Sequence, residues 1–370
     1  MPRRSLRLPK ARFDDFVARL RTLGYRVLGP VPRDGAIVFD EIRGSADLPI
    51  GLRDEQAPGR YRLVEGVPGE MFGVVNGPGS LKPFVFAPEE PLLEVRREAR
   101  ALQVREIVPD APRIAIVGVR ACDLAALAVQ DRVFLRDGAR DSYYSVRRKR
   151  LLLVAVNCTR SAPTCFCTSM GTGPAATSGY DIAATELDDA FVVEVGSPAG
   201  AAVVDALALD AATADESAGA ARRVGECAAS ITRRLDTSDL PGLLYDEAEN
   251  PRWDEVATRC LSCTNCTMVC PTCFCHSVTD VTALAGDSST RVRQWDSCFS
   301  LEHAHIHGMN FRAQVRERYR MWLTHKLASW IDQFGTSGCV GCGRCIAWCP
   351  VGIDITEEVA AIRATKGAQE

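Results

Sequence analysis

Apolar positions near the start of the chain recur at helical spacing. Phe13, Phe16, Val17, Leu20 and Leu23 share one stripe, so residues 9–23 are expected to form an amphipathic helix. Residues 24–100 are broken by many Gly and Pro and read as short strands and turns. The pattern then changes. Residues 114–119 (IAIVGV) and 151–156 (LLLVAV) are unbroken apolar runs of strand length, as in strands buried on both faces, and residues 191–195 are a third. Residues 122–131 (CDLAALAVQD) read as a helix between the first two. Strand, helix, strand at this spacing predicts a β-α-β unit, and with it an α/β domain over residues 1–240. Residues 196–222, rich in Ala, Gly and Asp, read as a surface segment with some helix. Pro, Asp, Glu and Asn over residues 236–251 mark a linker. A second domain, residues 252–370, starts near Trp253, and its stretch from about Asn310 to Phe334 reads as one long helix dense in Arg and aromatics.

Composition narrows the classes. With 46% hydrophobic and 25% charged residues the chain can build an ordinary core, and 370 residues suffice for two or three domains. A formal net charge of −3 leaves no basic footprint for nucleic acid. No apolar run reaches the roughly 18 residues of a membrane span. Arg3 and Arg4 superficially resemble a twin-arginine export signal. No apolar segment follows them, and Asp14, Asp15, Arg19 and Arg21 interrupt the window, so a cytoplasmic location is expected.

Sixteen cysteines are the outlier. Cys260, Cys263, Cys266 and Cys270 run C-x2-C-x2-C-x3-C and are followed by Pro271. Cys339, Cys342, Cys345 and Cys349 repeat the run before Pro350. This is the bacterial ferredoxin spacing for [4Fe–4S] clusters, in which the fourth cysteine of each run ligates the other cluster. The expected sets are therefore Cys260, Cys263, Cys266 and Cys349 on cluster 1, and Cys339, Cys342, Cys345 and Cys270 on cluster 2. Tandem zinc ribbons are the rival reading of C-x-x-C pairs. Disulfides suit so large a chain least. The 68 residues between the runs are too many for a compact ferredoxin and point to an α-helical ferredoxin arrangement.

Other cysteines form a second pattern. The word Pro-Thr-Cys-Phe-Cys occurs at residues 163–167 and again at 271–275. Cys122 follows the first buried strand run. Cys158, Cys165 and Cys167 follow the second, and parallel strands open at the same sheet edge. Those four thiols are candidates for a third cluster, against the plainer reading of buried structural thiols. Cys273, Cys275 and Cys298 are further candidate ligands, or groups that tune a neighbouring cluster. Cys227 reads as core. His303, His305 and His307 alternate and align only if extended, which makes a polar surface or turn the simpler reading than a metal site. Arg312, Arg316, Arg318, Arg320, His325 and Lys326 make the long helix basic, either to raise a cluster's potential or as a docking face. No G-x-G-x-x-G after a strand, no P-loop and no catalytic triad can be read, so no catalytic or nucleotide-binding residue is assigned.

The stretches at residues 114–127, 157–174, 259–275, 295–299 and 339–355 together resemble the dicluster electron-transfer subunits of soluble multisubunit oxidoreductases. These include the beta subunits of sulfhydrogenase-type [NiFe] hydrogenases and the dicluster subunits of anaerobic sulfite reductases. The likeness runs from Lys82-Pro83-Phe84 to about Ile355. The resemblance implies a relay between a flavin subunit that meets NAD(P)H and a separate catalytic subunit, either a nickel–iron hydrogenase or a sirohaem sulfite reductase. The terminal reaction stays open among proton, sulfite and polysulfide reduction. The chain has no paired C-x-x-C termini for a nickel–iron centre of its own. Two other classes stay in view: a self-contained flavin-binding iron–sulfur reductase, and a colourless zinc scaffold.

Overall fold

The computed structural model describes residues 5–99 and 101–367, so Arg3 and Arg4 lie outside the described residues. Strands dominate up to residue 195: β1 Ser5–Pro9, β2 Arg26–Arg33, β3 Ala36–Glu41, β4 Leu52–Ala57, β5 Arg60–Glu65, β6 Glu89–Glu98, β7 Ala101–Glu106, β8 Ile114–Val119, β9 Leu151–Val156, β10 Ile182–Glu186 and β11 Ala190–Val195. A hairpin of β12 His276–Thr282 and β13 Ser288–Trp295 follows later. The main sheet has the order β1-β11-β10-β9-β8-β2-β3. Strands β2, β8, β9 and β10 run parallel, and antiparallel strands close both flanks. Residues of β8 are buried throughout, because helices cover both faces of its neighbourhood. On one face Phe13, Phe16, Val17 and Leu20 of the helix Phe13–Thr22 pack with Val117, Val154 and Phe191. On the other, Leu124 and Leu127 of the helix Ala121–Phe134 pack with Ile116, Leu153 and Ala183. The β-α-β reading is borne out in these elements.

Two segments differ from their sequence reading, and a third carries more helix than expected. The 196–222 region forms the helices Pro198–Val204 and Ala214–Ser230, the latter started by a capping box between Thr213 and Glu216. Within 236–251 the chain forms the helix Leu240–Asp246, whose Leu240, Leu243 and Leu244 are core. The long helix starts only at Val315. It runs as Val315–Thr324, widens to a π-helical turn over His325–Ser329, and resumes as Trp330–Phe334. The wider turn lets Lys326 point inward while Trp330 stays in the core.

The two halves of the sequence interpenetrate. A four-stranded sheet of order β12-β13-β6-β7 joins the hairpin after the first cysteine run to strands from residues 89–106. The repeated pentapeptide is exchanged between cores. Phe166 enters the core of Trp253, Phe299 and Trp322, while Phe274 packs against Phe134, its ring centroid 6.0 Å away, and against Trp330. Arg344, 2% exposed, forms an ion pair of 2.9 Å with the equally buried Asp123 of the first parallel unit.

Candidate metal centre

The two cysteine runs fold alike. Each ends in a one-turn helix, Asn265–Met268 in the first and Arg344–Ala347 in the second. Each needs left-handed backbone at the same two places: Ser262 and Thr264 in the first loop (φ 50° and 68°), Gly341 and Gly343 in the second (φ 63° and 76°). Such turns aim successive Cys side chains into one bowl. They also free backbone N–H groups for sulfur: Ser262 N–H faces Cys260 Sγ at 3.5 Å, Gly341 N–H faces Cys339 Sγ at 3.4 Å, and Ile353 N–H faces Cys349 Sγ at 3.3 Å. Donors aimed at sulfur favour thiolate and steady a bound cluster.

The use of Ser and Thr in one loop and Gly in the other follows from burial. The first loop is at the surface, with Leu261 63% exposed and Cys263 exposed. The second loop is pressed against the first pentapeptide. A Cβ on Gly341 would lie 2.6 Å from the Phe166 backbone, and one on Gly343 would lie 2.4 Å from Thr164 O. Phe166 N–H donates to Gly341 O (2.9 Å) and the Asn76 side chain donates to Cys342 O (2.9 Å). Only glycine combines this backbone with that close approach.

Cys260, Cys263, Cys266 and Cys349 line one cavity walled by Phe299, Tyr319, Trp322 and Ile353, with Cys345 also at its edge. Burial pushes the Cys266 thiol up, and the neighbouring Cys260, Cys349 and Cys263 push it further. Burial acts likewise on Cys345, beside Cys339, Cys342 and Cys270. Each final cysteine thus sits with the first three of the other run. A buried set of thiols raising one another's pKa is a poor place for free thiolates and a good one for a multivalent cation that takes all of them. Among the described residues no three His, Cys, Asp or Glu side chains converge closely enough to hold a single ion. A cubane takes one thiolate per iron, so its ligands stand wider apart than four donors around one ion. The residues present fit that group.

Around Cys270 the charge is arranged differently. Lys326 Nζ, inside the protein, lies 3.3 Å from Cys270 Sγ and 3.5 Å from Cys273 Sγ, with Thr272 Oγ1 and Gly338 O at 3.2 Å. Burial opposes its charge, but Cys270, Cys273 and Cys339 outweigh it and hold the ammonium above its usual range. Lys82, also buried, donates to Thr267 O and Met268 O and lies 3.9 Å over the Trp295 ring. Among the described residues no carboxylate is hydrogen-bonded to either amine, and a buried ammonium without an anion is costly. A bound anionic cluster would supply the countercharge. Of the basic helix, Arg316 and Arg320 pair with Glu249, and Arg318 donates to Phe299 O. Lys326 is the basic group that reaches the sulfurs, a role its periodicity did not single out.

The four other candidates also gather. Cys122, Cys165 and Cys167 are buried, and Cys158 is half-buried. Burial raises the thiols of Cys122, Cys165 and Cys167, and Cys158 and Cys342 each add to the rise in all three. Parallel pairing of β8 with β9 places Cys122 and Cys158 at one sheet edge. The 163–167 loop folds back over it, with Gly173 against Cys167 Sγ. Cys227, read as core, is 2% exposed, and its thiol is raised to about 12 by burial and then by Cys158 and Cys167. It borders this group, a proximity that its place in a helical stretch did not signal. His305 and His307 are exposed on a two-strand turn, whereas His303 turns inward to Asp296. The three imidazoles do not converge.

Residues 259–353 match the 4Fe-4S dicluster domain family. That stretch, about a quarter of the chain, is similar to dicluster iron–sulfur domains. It is also 29% identical to sulfhydrogenase 2 subunit beta of Pyrococcus furiosus over 97% of this chain and 98% of that protein. No solved structure matches it. Among the described residues no helix is long and apolar enough to cross a membrane. The dicluster match covers both cysteine runs, and the likeness to the hydrogenase subunit extends through the sheet domain as well.

Proposed function

We propose that the chain is the iron–sulfur relay of a cytoplasmic multisubunit oxidoreductase. It would carry electrons between a flavin subunit that meets NAD(P)H and a catalytic subunit of nickel–iron hydrogenase or sulfite or polysulfide reductase type. The observation that carries this reading is the graded burial of the thiol sets. Cys260, Cys263, Cys266 and Cys349 would hold cluster 1 at the surface, beside the exposed Leu261 and Val351. Cys339, Cys342, Cys345 and Cys270 would hold cluster 2 inside, against two buried lysines. Cys122, Cys158, Cys165 and Cys167 would hold a third beyond Cys342, at the sheet edge. Bound clusters supply single-electron redox chemistry, and the protein sets their spacing, charge and access to water.

Apolar side chains exposed around the first loop suit a partner surface, since a cluster near the surface exchanges electrons only with something docked there. The name of the Pyrococcus relative, a hydrogenase subunit, supports a partner of that class. The experiment is reduction of the purified, brown, anaerobic chain by NAD(P)H, alone and with added FAD, read by the visible spectrum. A relay stays oxidised in both and bleaches only with a low-potential donor or its partner flavoprotein. Bleaching by NAD(P)H with FAD alone would establish the self-contained reductase instead.

A further inference from the structure

One wall of the cavity that holds Cys260, Cys263, Cys266 and Cys349 is aromatic, built by Phe299, Tyr319 and Trp322. Tyr319 and Trp322 stand one turn apart on the helix Val315–Thr324, so both side chains leave the same face. Their ring centroids are 5.4 Å apart, and the Phe299 ring lies 6.1 Å from the first and 5.9 Å from the second. Tyr319 is 2% exposed and Trp322 is 5% exposed. Among the described residues neither Tyr319 Oη nor Trp322 Nε1 has a hydrogen-bond partner. The surrounding core does satisfy comparable groups. Trp253 Nε1 donates to Glu247 O at 2.8 Å, and Arg318 of the same helix donates to Phe299 O at 2.7 Å. Glu358, whose charge is felt at Tyr319, is held instead by Arg252 at 2.6 Å and Arg259 at 2.5 Å. A buried donor without an acceptor forfeits its hydration and gains nothing in return, so folded proteins keep few of them. Two such donors on one cavity point to an acceptor that fills the cavity.

We infer that Tyr319 Oη and Trp322 Nε1 are hydrogen-bond donors to the sulfurs of cluster 1 and set its reduction potential. The inference rests on the cluster assignment above. Thiolate and inorganic sulfide both accept from O–H and N–H, and their charge grows when the cluster takes an electron. A donor aimed at them therefore favours the reduced state and raises the potential. Burial holds the Tyr319 phenol well above its usual range, so it keeps the proton it donates. The indole N–H of Trp322 is a donor only and has no acid–base role. Both are neutral, in contrast to the Lys326 ammonium 3.3 Å from Cys270 Sγ. The two cysteine sets are thus served by different donors: dipoles at the surface set, a full charge at the inner one. Tyr319 and Trp322 are positioning residues that act on the energy of the electron and leave the ligand set as it is.

The test is a redox titration of the anaerobic, iron-containing full chain, followed by electron paramagnetic resonance on the signal that Cys260→Ala removes. Tyr319→Phe keeps the ring and deletes only the hydroxyl. At a fixed solution potential it should lower the ratio of reduced to oxidised cluster 1 by at least about threefold, with iron content unchanged. Adding Trp322→Phe should bring the fall to about tenfold, which is about 59 mV for one electron. The other cluster should titrate as before. Tyr144→Phe is the control, since it deletes a buried hydroxyl that donates to Asp131 at 2.7 Å in the sheet domain, and it should shift neither signal. After exchange into deuterated water, pulsed resonance on cluster 1 should show coupled deuterons, one of which is lost in Tyr319→Phe. An unchanged or increased ratio in Tyr319→Phe would overturn the inference, as would an equal shift in both clusters. Iron bound normally with an unmoved potential refutes these donors alone, whereas a chain that binds no iron brings down the cluster assignment with them.

Discussion

Gly343→Ala tests the packing that buries the second cysteine loop. Gly343 has φ 76°, and an added Cβ would stand 2.4 Å from Thr164 O and 2.7 Å from its carbonyl carbon. Left-handed backbone costs an L-residue about 1–2 kcal/mol. Forcing a methyl group against backbone that cannot rotate away costs about 1–3 kcal/mol more. Restricting the unfolded chain returns about 0.4–1 kcal/mol. The net loss is about 1–4.6 kcal/mol, a large share of the roughly 5–15 kcal/mol typical of a folded protein. Thr264→Gly is the matched control. Thr264 has the equivalent φ of 68° in the exposed loop, so strain relieved and flexibility gained nearly cancel, within about 0.5 kcal/mol. Urea unfolding under anaerobic conditions, followed by far-UV circular dichroism and by loss of cluster absorbance, should move the Gly343→Ala midpoint down by about 1 M and leave Thr264→Gly in place. Equal midpoints for Gly343→Ala and the unsubstituted chain would refute the claim that Thr164 presses on this loop.

Cys270→Ala should abolish the paramagnetic resonance signal of the cluster held by Cys339, Cys342 and Cys345, and Cys349→Ala that of the other. Loss confined to each residue's own loop would show the ligands uncrossed. Cys158→Ser combined with Cys165→Ser, made in the full chain because β6 and β7 depend on β13, should lower iron from about twelve to about eight per chain. About eight in both would leave these thiols structural. His303 is raised from 6.5 to about 8, first by its hydrogen bond with Cys275, against burial, and then by Asp296. A raised folded pKa means that this contribution to stability is fully present below 6.5 and fades as pH rises through about 8. The melting-temperature advantage over His303→Gln should therefore shrink across that window, and an advantage that grows with pH would contradict the assignment.

Local chemistry and spacing are what the chain spells out on its own. Two C-x2-C-x2-C-x3-C-P runs state a cluster chemistry, because the tight loop that binds three irons is encoded within a single short segment. The runs of Ile114–Val119 and Leu151–Val156 announce buried parallel strands, because burial on both faces leaves no polar position. The long helix is shorter than its composition suggests, since Arg and aromatics from Asn310 onward fit a helix as well as the turn they form before Val315.

Which elements meet is settled only in the folded chain. Lys82 and Lys326 are far apart in sequence, yet both turn inward toward the sulfurs around Cys270, because the β6–β13 pairing brings the first half of the chain over the second. Asp123 and Arg344, 221 positions apart, form one buried pair for the same reason. The opposition of Cys275 to Asp296 follows from a hairpin register that neither strand's alternation fixes alone. Such contacts are set by the burial of whole surfaces against one another, and no window of sequence shorter than the fold contains that information.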